Sequence, residues 1–456
     1  MILISTPQEL YDLMNANNTT VFLYNNYELA NDIDMTGFIS SSIGHTDPNN
    51  GFTGSFDGKG YTVTIYVIDS SNYSGFFSAT DSLLISNLTI VYKNDNIIIG
   101  DGGLGLSGGF VAEGGGNISN CHVILGNNVT IGDNDTLCCG GFAGSAVVGT
   151  LSNCSLTVGN NLSINSTDFS GGFIGDMNGS TLSDCNIIIG NDAELSGPDV
   201  GGIVGSADNM NRISLTVGQN CIMRGENIGA IAGENDNNTS IENCKVIFKG
   251  DVTIIGTDEG SVGGIGGKLE YQIINSIVLF GENTYITGNS LVGGAFGVLT
   301  DPSSEKSFAI YKNYSIKGGT DDAIVPGGAL PSILTQSCGI PLPGSDVINM
   351  STTSLSTIIA FLQTIPYLQD LIPYILQTYC VVALIIELVC PCIADLCTSN
   401  PQVTNYNESE DKSRRADQLV RRDFDVKLAE INNGTRVSPM PIFKTYHDVQ
   451  TRSFKI

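Results

Sequence analysis

"GGFAGSAVVGTLSNCSLTVGNNLSI", Gly140 to Ile164, is the stretch whose reading decides the fold. A glycine pair and Phe142 open it, Cys154 stands among small polar residues, and an alternating apolar run follows. The opening landmark recurs at Gly108 ("GGFVA"), Gly171 ("GGFIG"), Gly201 ("GGIVG"), Gly229 ("GAIAG"), Gly263 ("GGIGG") and Gly293 ("GGAFG"), with a weaker "SGFFS" at Ser74, at spacings of 28 to 34 residues. A period of this size marks an array of structural repeats. The cysteine landmark recurs as one column: Leu88, Cys121, Cys154, Cys185, Ile213, Cys244 and Ser276. A third landmark closes the unit, in "NNVTIG", "NNLSIN" and "NDAELSG".

Each unit therefore holds three short strand-like runs separated by Gly, Asn and Asp turns. Runs this short make no stable sheet within one unit. They do if each unit is one coil of a solenoid and every strand pairs in parallel with its counterpart about 4.8 Å away. The expected fold is all-β, a parallel β-helix of about eight coils. From the strand spacing its axis runs roughly 40 Å plus caps.

Stacking like on like turns the cysteine column inward, where Leu and Ile exchange with Cys because free Cys behaves as a small apolar side chain. Phe110, Phe142, Phe173, Ile203, Ile231 and Ile265 form a second inward ladder. A metal site needs converging ligands, whereas neighbouring coils project these thiols side by side, and His occurs only at His45, His122 and His447. Parallel Cβ directions also suit the disulfide torsion poorly. Cys121, Cys154 and Cys185 are accordingly expected as buried free thiols, and no catalytic, cofactor-binding or metal-binding residue is assigned.

Lys and Arg total 20 against 46 acidic residues, and ten of the 20 follow residue 410. The first 410 residues carry 10 basic and 40 acidic groups, a net of −30. Such a surface repels phosphate backbones, so nucleic acid is excluded as a partner of the body. The opening "MILISTPQELYDLM" has neither the basic start nor the apolar stretch of a secretory signal. Seventeen N-x-[ST] sequons occur, among them Asn128, Asn153, Asn161 and Asn165; an Asn- and Ser-rich chain produces many without glycosylation.

Leu29 to Thr64, "LANDIDMTGFISSSIGHTDPNNGFTGSFDGKGYTVT", resembles the opening of surface proteins that carry the GLUG-type repeat. The matching positions are Leu29, Asn31, Asp32, Ile33 and Asp34, then Phe52, Gly54, Phe56, Asp57, Gly58, Gly60 and Tyr61. The resemblance extends over roughly residues 3 to 300 and implies a right-handed parallel β-helix in adhesin-like cell-surface proteins, some relatives adding protease domains. It brings no catalytic residues, and this chain shows no wall-anchoring LPxTG motif. From the residues alone, "FTGSFDGKGYTVTIYVI" reads as a hairpin-like start of the solenoid. Asp32, Asp34 and Asp57 read as turn and capping carboxylates, their spacing not matching a calcium loop.

Residues 1–66 are thus expected as the N-terminal cap, 67–324 as β-helix repeats, 325–352 as a Pro/Gly-rich connector, 353–398 as a hydrophobic helical segment and 399–456 as a charged tail. Leu371 to Ala394 holds 24 residues with one charge, Glu387, long enough to span a bilayer. Gln377 and Glu387 are costly in lipid, which keeps an oligomerisation or capping helix open. Cys380, Cys390, Cys392 and Cys397 lie on this segment, as acylation sites, disulfides or plain apolar helix residues.

The functional expectation is a non-enzymatic, adhesin-like protein of a cell or virion surface. It would bind a glycan or protein receptor through outward faces and be held by residues 371–394 in a membrane. The alternatives are a carbohydrate-active β-helix enzyme, for which the few basic groups (Arg212, Arg224, Lys245, Lys249) and the lack of a paired-carboxylate motif speak poorly, and an assembly protein that forms a homo-oligomer through its C-terminal helix.

Overall fold

The computed structural model describes residues 1–15, 23–44, 51–66, 73–93, 98–100, 105–235, 239–257, 260–299, 307–317 and 347–349. The chain divides into two units, Met1–Cys380 and Val381–Ile456, and all described residues belong to the first. The connector other than 347–349, the hydrophobic segment 353–398 with its four cysteines, and the tail 399–456 lie outside the described residues.

Within the first unit the fold is an all-β parallel solenoid of about eight turns. Its strands form three sheets of 14, 8 and 17 strands among the described residues. The eight-stranded narrow sheet takes one strand from each coil, Tyr73–Ser74, Leu106–Gly108, Cys138–Gly140, Phe169–Gly171, Asp199–Gly201, Asn227–Gly229, Ser261–Gly263 and Leu291–Gly293. These are the residues that lead into each glycine motif. The 14-stranded long sheet follows the motif, and the 17-stranded broad sheet follows the cysteine column. Register is kept coil to coil: Cys138, Cys139 and Gly140 lie opposite Phe169, Ser170 and Gly171, and Ser155 to Val158 lie opposite Asn186 to Ile189.

The interior consists of the two expected ladders. Leu88, Cys121, Cys154, Cys185, Ile213, Cys244 and Ser276 are all buried, as are Phe110, Phe142, Phe173, Ile203, Ile231 and Ile265. Consecutive Phe rings stack, Phe142 on Phe173 at 4.9 Å, a separation set by the strand spacing. Seven cysteines, Cys121, Cys138, Cys139, Cys154, Cys185, Cys221 and Cys244, are free and buried.

Two features depart from the expectation. The stretch Phe52 to Ile65 forms no hairpin: Ser55–Asp57 pairs in parallel with Tyr27–Leu29 and Phe77–Ser86, whereas Thr62–Ile65 pairs in parallel with Ile33–Asp34 and Thr89–Tyr92. Lys59 (φ 54°) and Gly60 (φ 82°) turn the chain from one sheet to the next, where the later coils use a single left-handed residue such as Asn87, Asn120 or Asn153. The second is a helix, Pro7–Met14, with Leu10, Leu13 and Met14 buried. Its signal is the capping box "TPQE": Thr6 Oγ1 accepts from the Glu9 amide at 3.2 Å and Glu9 Oε2 accepts from the Thr6 amide at 3.0 Å.

Candidate functional site

Two outer surfaces bring side chains together in register. The first is a crease where the narrow sheet meets the long sheet. The turn between them is so tight that a Cβ on Gly144 would lie 2.6 Å from the Ser107 amide nitrogen and 2.7 Å from the Ala112 oxygen. On Gly175 it would lie 2.7 Å from the Cys139 nitrogen. Only glycine allows this contact of two backbones.

Along the long-sheet side runs the column Glu113, Ser145, Asp176, Ser206, Glu234 and Lys268. Along the narrow-sheet side runs Leu106, Cys138, Phe169, Asp199 and Asn227. The carboxylates perturb one another. Burial, reinforced by the charges of Asp168 and Asp208, pushes Asp176 up to about 6. Burial, with Asp168 and Glu226 adding and the Asn227 hydrogen bond opposing, pushes Asp199 up to about 6. Burial also raises Asp168 and Glu113. Cys138 is held protonated by burial and by the charges of Asp176 and Asp168. Asp208, itself buried, accepts from the Gly179 amide. Sequence reading missed this cluster because its members are scattered along the chain. The available signal was positional, an acid two residues before one glycine pair ("DVGG") and just after another ("GGFIGD").

The second surface is the outer side of the broad sheet. Over seven coils, alternation turns two residues per strand outward: Thr62 and Thr64, Thr89 and Val91, His122 and Ile124, Ser155 and Thr157, Asn186 and Ile188, Ser214 and Thr216, Lys245 and Ile247. None of these positions is occupied by any of the chain's 46 acidic residues. Ile124 and Ile188 are 42% and 43% exposed.

The residues singled out from sequence fall as follows. Asp32 accepts from the Thr62 amide at 2.8 Å, Asp34 from the Thr36 amide at 2.9 Å, and Asp57 from the Lys59 amide at 2.9 Å, so all three serve turns and neighbouring coils. Arg212 is paired with Asp184 (Nη2 to Oδ2, 2.7 Å) and Arg224 with Glu194 (3.1 Å), each across one coil step. Sequon asparagines belong to ladders of left-handed turns: Asn128 and Asn161 have φ of 56° and 60°, and Asn161 donates to the Asn128 side chain at 2.7 Å.

The cysteine column has a hydrogen-bonding role that apolar reasoning did not supply. Each thiol donates to the carbonyl two residues back: Cys121 to Ser119 (3.3 Å), Cys154 to Ser152 (3.4 Å), Cys185 to Ser183 (3.2 Å) and Cys244 to Glu242 (3.4 Å). Ser276 makes the same bond to Ile274 at 3.0 Å, which explains a hydroxyl in a buried apolar column. Burial keeps the Cys121 thiol well above its ordinary range and pushes Cys244 up to about 12.

Among the described residues no group of three or more His, Cys, Asp and Glu is arranged to hold a metal ion, and no helix is long and apolar enough to cross a membrane. No family model matches the chain, and no curated protein matches it. A solved structure to which it is similar is a "putative immunoglobulin A1 protease" from Bacteroides ovatus, 16% identical, over 79% of this chain and 86% of that one, with a TM-score of 0.37.

Proposed function

We propose that the chain is a non-enzymatic, adhesin-like structural protein of a cell or virion surface, related to GLUG-type repeat proteins, that binds a glycan or protein receptor through the broad sheet. The observation that carries this reading is the charge partition. In a chain with net charge −26, the fourteen outward positions of the seven strands from Thr62–Ile65 to Lys245–Phe248 hold hydroxyl, amide and aliphatic side chains with His122 and Lys245, and no carboxylate; acids of the same sheet, such as Asp34 and Glu194, stand on other strands. The Thr, Val and Ile side chains among them are stiff, and strands at about 4.8 Å intervals hold the array in order before a partner arrives, so little ordering entropy is lost on binding. Residues 371–394 would hold the protein at a membrane. Surface labelling of intact cells or particles tests the placement: labelled native protein supports it, and label seen only after lysis counts against it.

The carboxylate crease supports a second reading, a carbohydrate-active enzyme. Asp176 and Asp199, raised to about 6, have the protonation behaviour of a general acid near neutral pH. Turnover of a polysaccharide that Asp176→Asn or Asp199→Asn abolishes would establish it over the first.

A further inference from the structure

We propose that Asn178–Gly179 is a self-modification site, at which the Asn178 side chain closes on the Gly179 nitrogen with the Asp208 carboxylate as base. Asn-Gly is the dipeptide best able to react in this way. One carbon separates the Asn amide group from the backbone, so attack by the next nitrogen forms a five-membered ring, and glycine puts no Cβ in its path. A regular ladder on both sides would hold the dipeptide extended, and the long sheet releases it on one side. Ile174–Ser183 pairs with the next coil in two pieces: Ile174 and Asp176 lie opposite Val204 and Ser206, then Thr181 to Ser183 lie opposite Asn209 to Asn211. Four residues, Met177 to Ser180, therefore span what Ala207 and Asp208 span on the next coil, and the surplus bulges out of register. Asn178 and Gly179 are both exposed there. On the preceding coil Val147 lies opposite Asn178 and Gly149 opposite Ser180, which sets Val148 against Gly179. Val148 has φ 35° and Gly179 has φ 73°, so both chains leave the extended conformation at this point.

Asp208 supplies the base. In place of a ladder carbonyl, the Gly179 N–H donates to the carboxylate of this buried residue. The acceptor thus stands on the proton that has to leave before the nitrogen can attack. As the nitrogen bonds to the Asn178 Cγ, the carboxylate takes that proton. The bond from Cγ to the side-chain nitrogen breaks, and this nitrogen takes the proton from Asp208 and departs as ammonia. Water then opens the succinimide ring at either carbonyl and leaves an aspartate or an isoaspartate at position 178. Either product adds one negative charge beside Asp208, in the cluster where the Asp208 charge already raises Asp176. The isoaspartate also lengthens the backbone by one carbon. The coil therefore gains charge and loses register as the protein ages.

Peptide mapping of full-length protein aged in warm neutral buffer tests the site, with fragmentation that separates aspartate from isoaspartate. Conversion at Asn178 is expected to run faster in the folded chain than in the same chain unfolded in guanidinium. There no base is positioned, and Asn50–Gly51 and Asn433–Gly434 report the ordinary rate of the dipeptide. Asp208→Asn keeps an oxygen for the Gly179 amide and removes the base, so it should slow conversion in the folded chain about tenfold. If that variant loosens the coil, the comparison of folded with unfolded parent decides alone. A folded parent that converts no faster than the unfolded one overturns the proposal. So does a folded Asp208→Asn variant that converts at the parent rate.

Discussion

The rings of Phe110 and Phe142 stack with centroids 4.8 Å apart and planes 9° from parallel. One residue per coil fills the same interior volume, and each ring is held by those above and below it. Phe142→Ala should therefore destabilise the fold by about 3 to 5 kcal/mol, since rigid stacked coils cannot collapse into the space left behind. Thr157→Ala, on the outer face, should cost less than about 0.5 kcal/mol. Chemical denaturation of both variants checks the facing, which equal losses would contradict.

Cys154→Ser should cost about 1 kcal/mol or less, because the hydroxyl can keep the bond to the Ser152 carbonyl, as Ser276 does with Ile274. Cys154→Ala, which has no donor, should cost more. If Ala proves the milder change, the column selects for volume alone. Alkylation should leave Cys121, Cys154 and Cys185 unmodified in the native protein and label all three after unfolding without reductant.

Gly175→Ala should be among the most damaging small substitutions in the chain. Its Cβ would meet the Gly144 oxygen at 2.5 Å and the Cys139 nitrogen at 2.7 Å, both backbone atoms that neighbouring coils hold in place. A Gly60→Ala control separates the causes: its Cβ meets open space, so it carries only the strain of positive φ. A melting temperature for Gly175→Ala no lower than for Gly60→Ala would contradict the tight crease.

The acidic crease makes stability depend on pH in a defined direction. Asp176 and Asp199 have folded pKa values of about 6 against 3.8 for the free side chain. Folding thus favours their protonated forms, and the stabilisation they give below pH 3.8 is lost as pH rises through about 6. The solenoid should be more stable at pH 5 than at pH 7. Asp176→Asn and Asp199→Asn should each recover about 1 to 3 kcal/mol at pH 7 and flatten this slope. A melting temperature that rises from pH 5 to pH 7 would contradict the assignment.

Much of this fold was legible in the sequence because a solenoid repeats its environment. Glycine pairs, the cysteine column and the Asn turns each recur where the coil has the same need. Reading by coil failed where the need was not periodic. The Pro7–Met14 helix occurs once, as a cap, and showed itself only in Thr6 and Glu9. Asp168, Asp176, Asp199 and Asp208 occupy different places in their own repeats, and only stacking brings their charges together. The thiol-to-carbonyl bond was hidden because Leu88 and Ile213 share its column and made the position look purely apolar.

The most direct test of the account is to measure binding of labelled full-length protein to intact cells and a glycan array, with two double variants beside it. Thr157→Glu with Ile188→Glu places charge on the acid-free face, and Asp176→Asn with Asp199→Asn removes charge from the crease. The account predicts binding that the face variant loses and the crease variant keeps. Absence of binding, or loss confined to the crease variant, would contradict it.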